Sequence, residues 1–400
     1  MGNAVLNEDI VAMKRNVLLL SICLALMMSA TSLMIATSPL IGLSLASSEA
    51  WATLPLACVF IGSLLSVFPA SFLMKFVGRR AGFVTGLILG IIGACIATMG
   101  ILNQNFYLFC GGSLTIGFFN GFGQFYRFAA ADVANEAYRS RAISWVMAGG
   151  VVAAFLGPNL ANWSSDWISD YPFAGSYATL AVIYGVSIIL MCWIRIPLPT
   201  VLERRSTGRR LAEIAIQPIF VVAALGAVTA YGIMNLIMTS TPIAMTKTGH
   251  TFSQTAFVFQ WHVFGMYAPS FFTGYLIKKF GVTRIMMAGL ALIFCCVFVN
   301  LQGQSFSNFW VSLFLLGLGW NFVFIGSTTL VTESYTLSEK AKTQGLNDFM
   351  VWLIVAVTAL SSGWLSQWIG WRMMNILVLP VLLICLVATI WLNYLRKKNI

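Results

Sequence analysis

Charge is what this chain has least of. Lys, Arg, Asp and Glu together make up 9% of its 400 residues, against about 25% in a soluble globular domain, whose surface must face water. That excludes one or two water-exposed domains, the expectation from length alone. Acid is scarcer than base, at 12 Asp and Glu against 23 Lys and Arg. No acid occupies the middle of an apolar run: Asp132, Glu333 and Asp348 all lie near run ends. There are only 2 His, so a histidine-built metal site has almost nothing to draw on. The 8 Cys all fall inside apolar runs, away from the loops where a disulfide framework would sit. Paired carboxylates, a nucleophile motif and a phosphate-cradling Gly-x-x-x-x-Gly-Lys-Ser/Thr loop are missing as well. An enzyme, a bound cofactor and ATP hydrolysis by this chain are therefore not expected.

What is present is apolar sequence, 59% of the chain, in runs of about 20 residues that match the hydrocarbon thickness of a bilayer. They do not alternate as barrel strands do. Twelve transmembrane helices are expected, near 16–40, 51–74, 80–102, 105–133, 141–164, 172–195, 216–242, 253–277, 284–302, 306–333, 342–368 and 373–395. The net charge of +11 is not spread as a nucleic-acid footprint would be. It sits in short clusters between spans, among them Lys14-Arg15, Arg79-Arg80, Arg209-Arg210 and Arg396-Lys397-Lys398. These clusters fall on one side of the membrane, which the positive-inside rule makes the cytoplasm. The expectation is a multi-pass protein of a bacterial-type inner membrane with both termini inside. The longest charged connection, 198–213, divides the helices six and six, giving an N-terminal bundle over 1–197 and a C-terminal bundle over 214–400.

The two bundles repeat each other. Pro39 and Pro242 stand 203 residues apart, as do Gly62 and Gly265, and Lys75 and Lys278. At an offset of 201, Asn120 matches Asn321, Asp132 matches Glu333, and Arg139 and Arg141 match Lys340 and Lys342. A duplicated six-helix bundle suits alternating access, in which two similar bodies rock about a site near the bilayer midplane. An all-α integral membrane protein of two pseudo-symmetric six-helix bundles is the expected fold.

At this point the chain resembles the major facilitator superfamily over nearly its whole length. That family carries Gly-x-x-x-Asp-Arg-x-Gly-Arg-Arg between helices 2 and 3, read here as Ser71-Phe-Leu-Met-Lys75-Phe-Val-Gly78-Arg79-Arg80 and repeated weakly from Gly274 to Gly281. The family's aspartate is replaced by Lys75 and Lys278. A second signature, an acid followed after six residues by a base, fits Asp132 with Arg139 and Glu333 with Lys340. The resemblance implies that these acids hold an inward gate with basic loop residues, so Lys75, Gly78, Arg79, Arg80, Asp132, Arg139, Arg141, Lys278, Gly281, Glu333 and Lys340 form a gate set. It also implies that helix 11 packs on helix 2, which makes Asp348 a candidate partner for Lys75. A helix-5 stretch from Gly149 to Pro158 partly resembles a drug/proton antiporter motif; close packing of small residues explains it equally.

The resemblance further implies that helices 1, 4, 7 and 10 line a central cavity. Asn120, Gln124 and Arg127 share one face of helix 4 at i, i+4 and i+7, and a charge within a span needs a reason. Arg127 either offers its fork to a solute carboxylate or planar acceptor, or snorkels to the cytoplasm. Tyr231 and Asn235 on helix 7, with Trp320 and Asn321 on helix 10, complete the candidate solute-binding set. His262, within helix 8, is a candidate proton carrier or a hydrogen-bonded packing residue.

The expected function is secondary active transport of a small organic solute, anionic or hydrogen-bonding and aromatic solutes included, coupled to protons. Drug or metabolite export is the alternative, and a non-transporting receptor or scaffold a more distant one. Partners are the solute, the proton and the bilayer; the bundle needs no second subunit to form its cavity.

Overall fold

Hydrocarbon offers no water to a backbone amide, so each membrane-crossing segment must satisfy its hydrogen bonds internally. The computed structural model describes residues 2–47, 51, 54–198 and 208–398, and among them regular structure is helical throughout. The helices are α1 (Gly2–Leu45), α2 (Leu54–Val77), α3 (Arg79–Leu102), α4 (Phe106–Gly123), α5 (Tyr126–Val133), α6 (Arg139–Ala148), α7 (Gly150–Ser164) and α8 (Ala174–Trp193). Then follow α9 (Leu211–Ala215), α10 (Pro218–Lys247), α11 (Phe252–Tyr267), α12 (Ser270–Phe280), α13 (Val282–Gln302), α14 (Phe306–Glu333), α15 (Lys340–Trp368), α16 (Gly370–Leu377) and α17 (Leu379–Lys398). Of the connection expected at 198–213, residues 199–207 lie outside the described residues.

Nine helical segments among the described residues are long and apolar enough to cross a membrane. Of the three remaining expected spans, two differ from the unbroken helices that hydropathy suggests. The fourth is interrupted at Gln124–Phe125, leaving pieces of 18 and 8 residues. The eighth is interrupted at Ala268–Pro269, leaving 16 and 11; proline lacks the amide that would continue the ladder. Each piece is shorter than the ~20 residues a full crossing needs, and each pair is required to complete one. The eleventh span is α15.

The helices sort into two compact units. The first comprises 1–135, 152–207 and 344–349, the second 136–151, 208–343 and 350–400. Each unit thus contains a short segment from the other half of the sequence. In the first unit α4 packs on α2 and α3, and α8 on α3; in the second α14 packs on α10, α11 and α13, and α12 on α6.

The repeat seen in sequence recurs as one packing device in each unit. In the first, a Cβ on Gly117 would stand 2.3 Å from Val59 O, and one on Gly62 would stand 2.2 Å from Leu114 O. In the second, a Cβ on Gly317 would stand 2.4 Å from His262 O, and one on Gly265 would stand 2.9 Å from Phe314 O. These reciprocal glycines let α2 touch α4, and α11 touch α14, backbone against backbone. The two central helices, α4 and α14, also start alike: Asn105 accepts from Leu108 N at 3.0 Å and Ser305 from Asn308 N at 3.2 Å.

Overpacking such a contact costs about 1–3 kcal/mol. Gly117→Val and Gly317→Val should each lower the melting temperature of the purified protein in detergent. Unchanged melting in both would show that the helices have room the geometry denies.

Candidate functional site

The interruption of the fourth span decides where its polar residues go. Gln124 ends α4, with its amide on Asn120 O at 3.1 Å, and Phe125 N reaches Phe122 O at 3.1 Å in a tighter turn. α5 then begins at Tyr126, placing Arg127 in its first turn. The Arg127 guanidinium donates to Gln124 O at 2.8 Å and Gln124 Oε1 at 3.3 Å. Its Nη2 donates to Asp348 Oδ1 across 221 residues of sequence. The Phe128 ring lies 4.5 Å from the Arg127 Cζ. Both charged side chains are within 3% of complete burial, so Arg127 is engaged inside the first unit rather than held open toward water. Asp348, expected opposite Lys75, accepts at Oδ1 from Arg127 Nη2 and from Asn347 Nδ2, the latter at 2.8 Å. Asp348 Oδ2 and Asn347 Oδ1 are buried and accept nothing.

A second buried arginine stands beside this pair in the chain's gate set. Gly78 takes φ 88°, a conformation open to glycine and strained for other residues, and turns the chain so that Arg79 opens α3 pointing inward. Arg79 Nε donates to Asp132 Oδ2 at 3.0 Å, and its Nη2 donates to Gln344 Oε1. Gly281 repeats the turn at φ 89°. Glu333, expected to meet the basic loop after the eighth span, instead accepts from Arg396 of α17. Arg80, Lys278 and Gly281 are exposed; Lys75, Arg139, Arg141 and Lys340 are half-buried.

The second unit holds a further ion pair that the gate set omits. Arg209 donates from its backbone N at 2.8 Å and from Nε at 2.7 Å to Glu339 Oε1, and from Nη2 at 2.5 Å to Oε2. Glu339 also closes a capping box with Thr336. The Arg209 guanidinium holds the Glu339 carboxyl well below the usual carboxylate range. The spacing Thr336-x-x-Glu339 was a readable signal for the box; nothing in spacing pairs Glu339 with Arg209.

The repeated asparagines have diverged. Asn321 is fully engaged: its Nδ2 donates to Met266 O and Ser270 Oγ, both at 2.6 Å, and its Oδ1 accepts from Thr273 Oγ1 at 2.7 Å. It clasps α14 to the interruption of the eighth span and so has a structural task. Asn120, its counterpart, is 3% exposed with an Oδ1 that accepts nothing. At the repeat offset of 203, Ser270 and Thr273 correspond to Val67 and Ala70, so the hydroxyls of the clasp are absent there. Asn235 donates to Val355 O at 3.1 Å and Thr358 Oγ1 at 2.9 Å.

An aromatic cluster surrounds Trp320. Tyr231 meets it edge-on at 5.1 Å, Tyr267 edge-on at 5.8 Å, and Phe324 stacks on it at 5.0 Å. Trp320 itself is buried and its Nε1 has no acceptor; Tyr231 is half-exposed. His262 is fully buried with Nδ1 at 2.7 Å from Leu313 O. A carbonyl only accepts, so Nδ1 carries the proton and Nε2 is left unprotonated and without a partner.

Removing one member of a buried ion pair strands the other, at about 3–5 kcal/mol. Arg127→Gln and Asp348→Asn should each lower the melting temperature sharply, while the double variant Arg127→Met with Asp348→Leu should recover most of the loss. Strictly additive losses in the double variant would show that the two residues do not depend on each other.

The Major Facilitator Superfamily model matches residues 18–259 and 223–400. A riboflavin transporter of Brucella anthropi is 40% identical over 386 residues, covering 96% of each chain. Among solved structures, the human organic anion transporter MFSD10 superposes with a TM-score of 0.77 at 14% identity, covering 94% of this chain and 99% of that one. The transporter FucP in its outward conformation gives 0.74 at 17% identity, covering 93% and 97%. At such identities these two structures speak for the fold, with its twelve spans in two six-helix halves. The chain belongs to the Major Facilitator Superfamily and is a multi-pass membrane transporter of a small solute, not an enzyme.

Proposed function

We propose that the solute is riboflavin or a close heteroaromatic relative, moved by alternating access across a bacterial inner membrane with both termini in the cytoplasm. The observation that carries this reading is the 40% identity to a riboflavin transporter over 96% of both chains. Riboflavin is a flat tricyclic heteroaromatic with a hydrogen-bonding edge and a polyhydroxyl tail, and it is neutral at physiological pH. A neutral solute requires no uncommitted cation, which agrees with Arg127 being paired to Asp348. The hydrogen-bonding aromatic branch of the expected solute class is therefore preferred to the anionic one.

The chemistry on each unit suits such a molecule. In the second unit, the half-exposed Tyr231 at the edge of the Trp320 cluster offers a ring for stacking, and Trp320 Nε1 is a donor in need of an acceptor. In the first, Asn120 retains a buried amide without a structural task, suited to a ring edge or a hydroxyl. Gln124 is committed to Arg127, and Asn321 and Asn235 to helix packing; these positions support the site rather than contact solute. Proton coupling is part of the proposal, with the unpartnered Nε2 of His262 as the loading atom.

Proteoliposomes with an imposed pH gradient provide the test. Wild-type protein should exchange labelled riboflavin and respond to the gradient. Loss of one stacked aromatic ring costs about 1–3 kcal/mol, so Tyr231→Ala should weaken apparent affinity about 5- to 150-fold. Asn120→Ala should reduce affinity while leaving thermal stability unchanged or raised. Absence of riboflavin exchange by well-folded wild-type protein would sink the reading. Net accumulation against net depletion in cells separates import from export.

A further inference from the structure

Away from the candidate solute site, the second unit contains a cavity of about 490 Å³ beside the junction of α6 and α12. The junction is unusually close. A Cβ on Gly274 would stand 2.6 Å from Ser140 O and 2.7 Å from Arg141 Cα. Ser144 Oγ donates to Ser270 O and accepts from Gly274 N at 3.0 Å, and Ser140 Oγ donates to Gly274 O at 3.2 Å. Backbone and hydroxyls are thereby used up along the seam, and what lines the cavity beside it is a cation among aromatic rings.

That cation is Arg141. Its guanidinium lies 5.2 Å over the Tyr275 ring, and its buried Nε has no acceptor. Among the described residues no acid pairs with it. The rim is formed by Trp145, Phe271 and Tyr275, which are 44%, 51% and 52% exposed, with Trp145 and Phe271 packed edge-on at 5.5 Å. Base surrounds the site: Arg139 opens α6, and Lys278 and Lys279 close α12.

These features belong together at the boundary of a bilayer. Trp and Tyr on the outside of a membrane protein settle at headgroup depth. A guanidinium presents a planar fork that matches phosphate oxygens, and basic pockets between membrane helices hold anionic headgroups. A free phosphate would use Arg141 but none of the exposed rings. We propose that this cavity binds the phosphate of an anionic phospholipid on Arg141, with the lipid's glycerol and upper acyl chains against Trp145, Phe271 and Tyr275. The site is separate from solute recognition and does not rest on the identity of the solute. Because the seam joins a segment from the first half of the sequence to one from the second, a lipid seated there braces a junction that both halves supply.

Native mass spectrometry of the full chain in mixed phosphatidylglycerol and phosphatidylethanolamine micelles tests this. Wild type should retain phosphatidylglycerol about tenfold over phosphatidylethanolamine, a difference of one charge-assisted contact. Arg141→Gln should abolish that preference and Arg141→Lys should keep part of it. Trp145→Ala, which spares the cation, should lower retention of both lipids. Each variant is first shown to be monodisperse with a wild-type melting profile; should Arg141→Gln fail this, Arg141→Lys and Trp145→Ala carry the comparison. Equal retention of the two lipids by wild type, or an undiminished preference in Arg141→Gln, would overturn the proposal. So would displacement of the lipid by millimolar inorganic phosphate, which would identify an anion site with no need of a lipid.

Discussion

A polar group buried in hydrocarbon has no water to turn to, and nearly every choice in this chain answers that fact. Backbone amides are satisfied within helices because nothing else in the bilayer would satisfy them. Side-chain charges follow the same rule at higher stakes. The Arg127 and Asp348 side chains, almost wholly dehydrated, are tolerable only because each neutralises the other and Gln124 and Asn347 take up further bonds. Arg79 is treated alike, shared between Asp132 and Gln344. Charges outside the spans, such as Glu333 with Arg396, are under less constraint and pair at the exposed rim.

Against this background the groups that remain unsatisfied gain meaning. Trp320 Nε1, His262 Nε2 and Asn120 Oδ1 are among the buried side-chain atoms without partners. Two of the three lie in the second unit and one in the first, on segments the family resemblance assigns to cavity lining or to their neighbours. For the solute proposed above, each of these atoms is a candidate contact on its own unit.

Much of the architecture was legible from charge and hydropathy, because the bilayer reads those properties directly. Offsets of 201 and 203 residues revealed the duplication before any geometry, and the reciprocal contacts of Gly62 with Leu114 and Gly265 with Phe314 show its physical content. The interruptions of spans four and eight were not legible: hydropathy averages across a break, and only Pro269 marked one of them. The side-chain pairings were the hardest part. Spacing puts Asn120, Gln124 and Arg127 on one face of a continuous helix, and Arg127 does meet Gln124, but spacing does not show that the guanidinium is taken up by a buried acid. Its partner Asp348 lies 221 residues off, and no local pattern specifies contact over such a distance. Asn321 and Asn120 looked equivalent because the residues that separate their roles, Ser270 and Thr273 against Val67 and Ala70, sit on other helices.

That last difference has a consequence for how stability is distributed. The interhelical clasp at Asn321 is closed in the second unit, whereas its counterpart Asn120 has an Oδ1 that accepts nothing in the first. An unmet buried amide is a standing penalty of about 1–3 kcal/mol, carried by one half alone. Hydroxyls introduced at Val67 and Ala70, the positions that match Ser270 and Thr273 at the repeat offset, would recover that penalty if they clasp Asn120 as Asn321 is clasped. In directed evolution toward a hardier protein these two positions offer a gain that selection for transport would be expected to refuse.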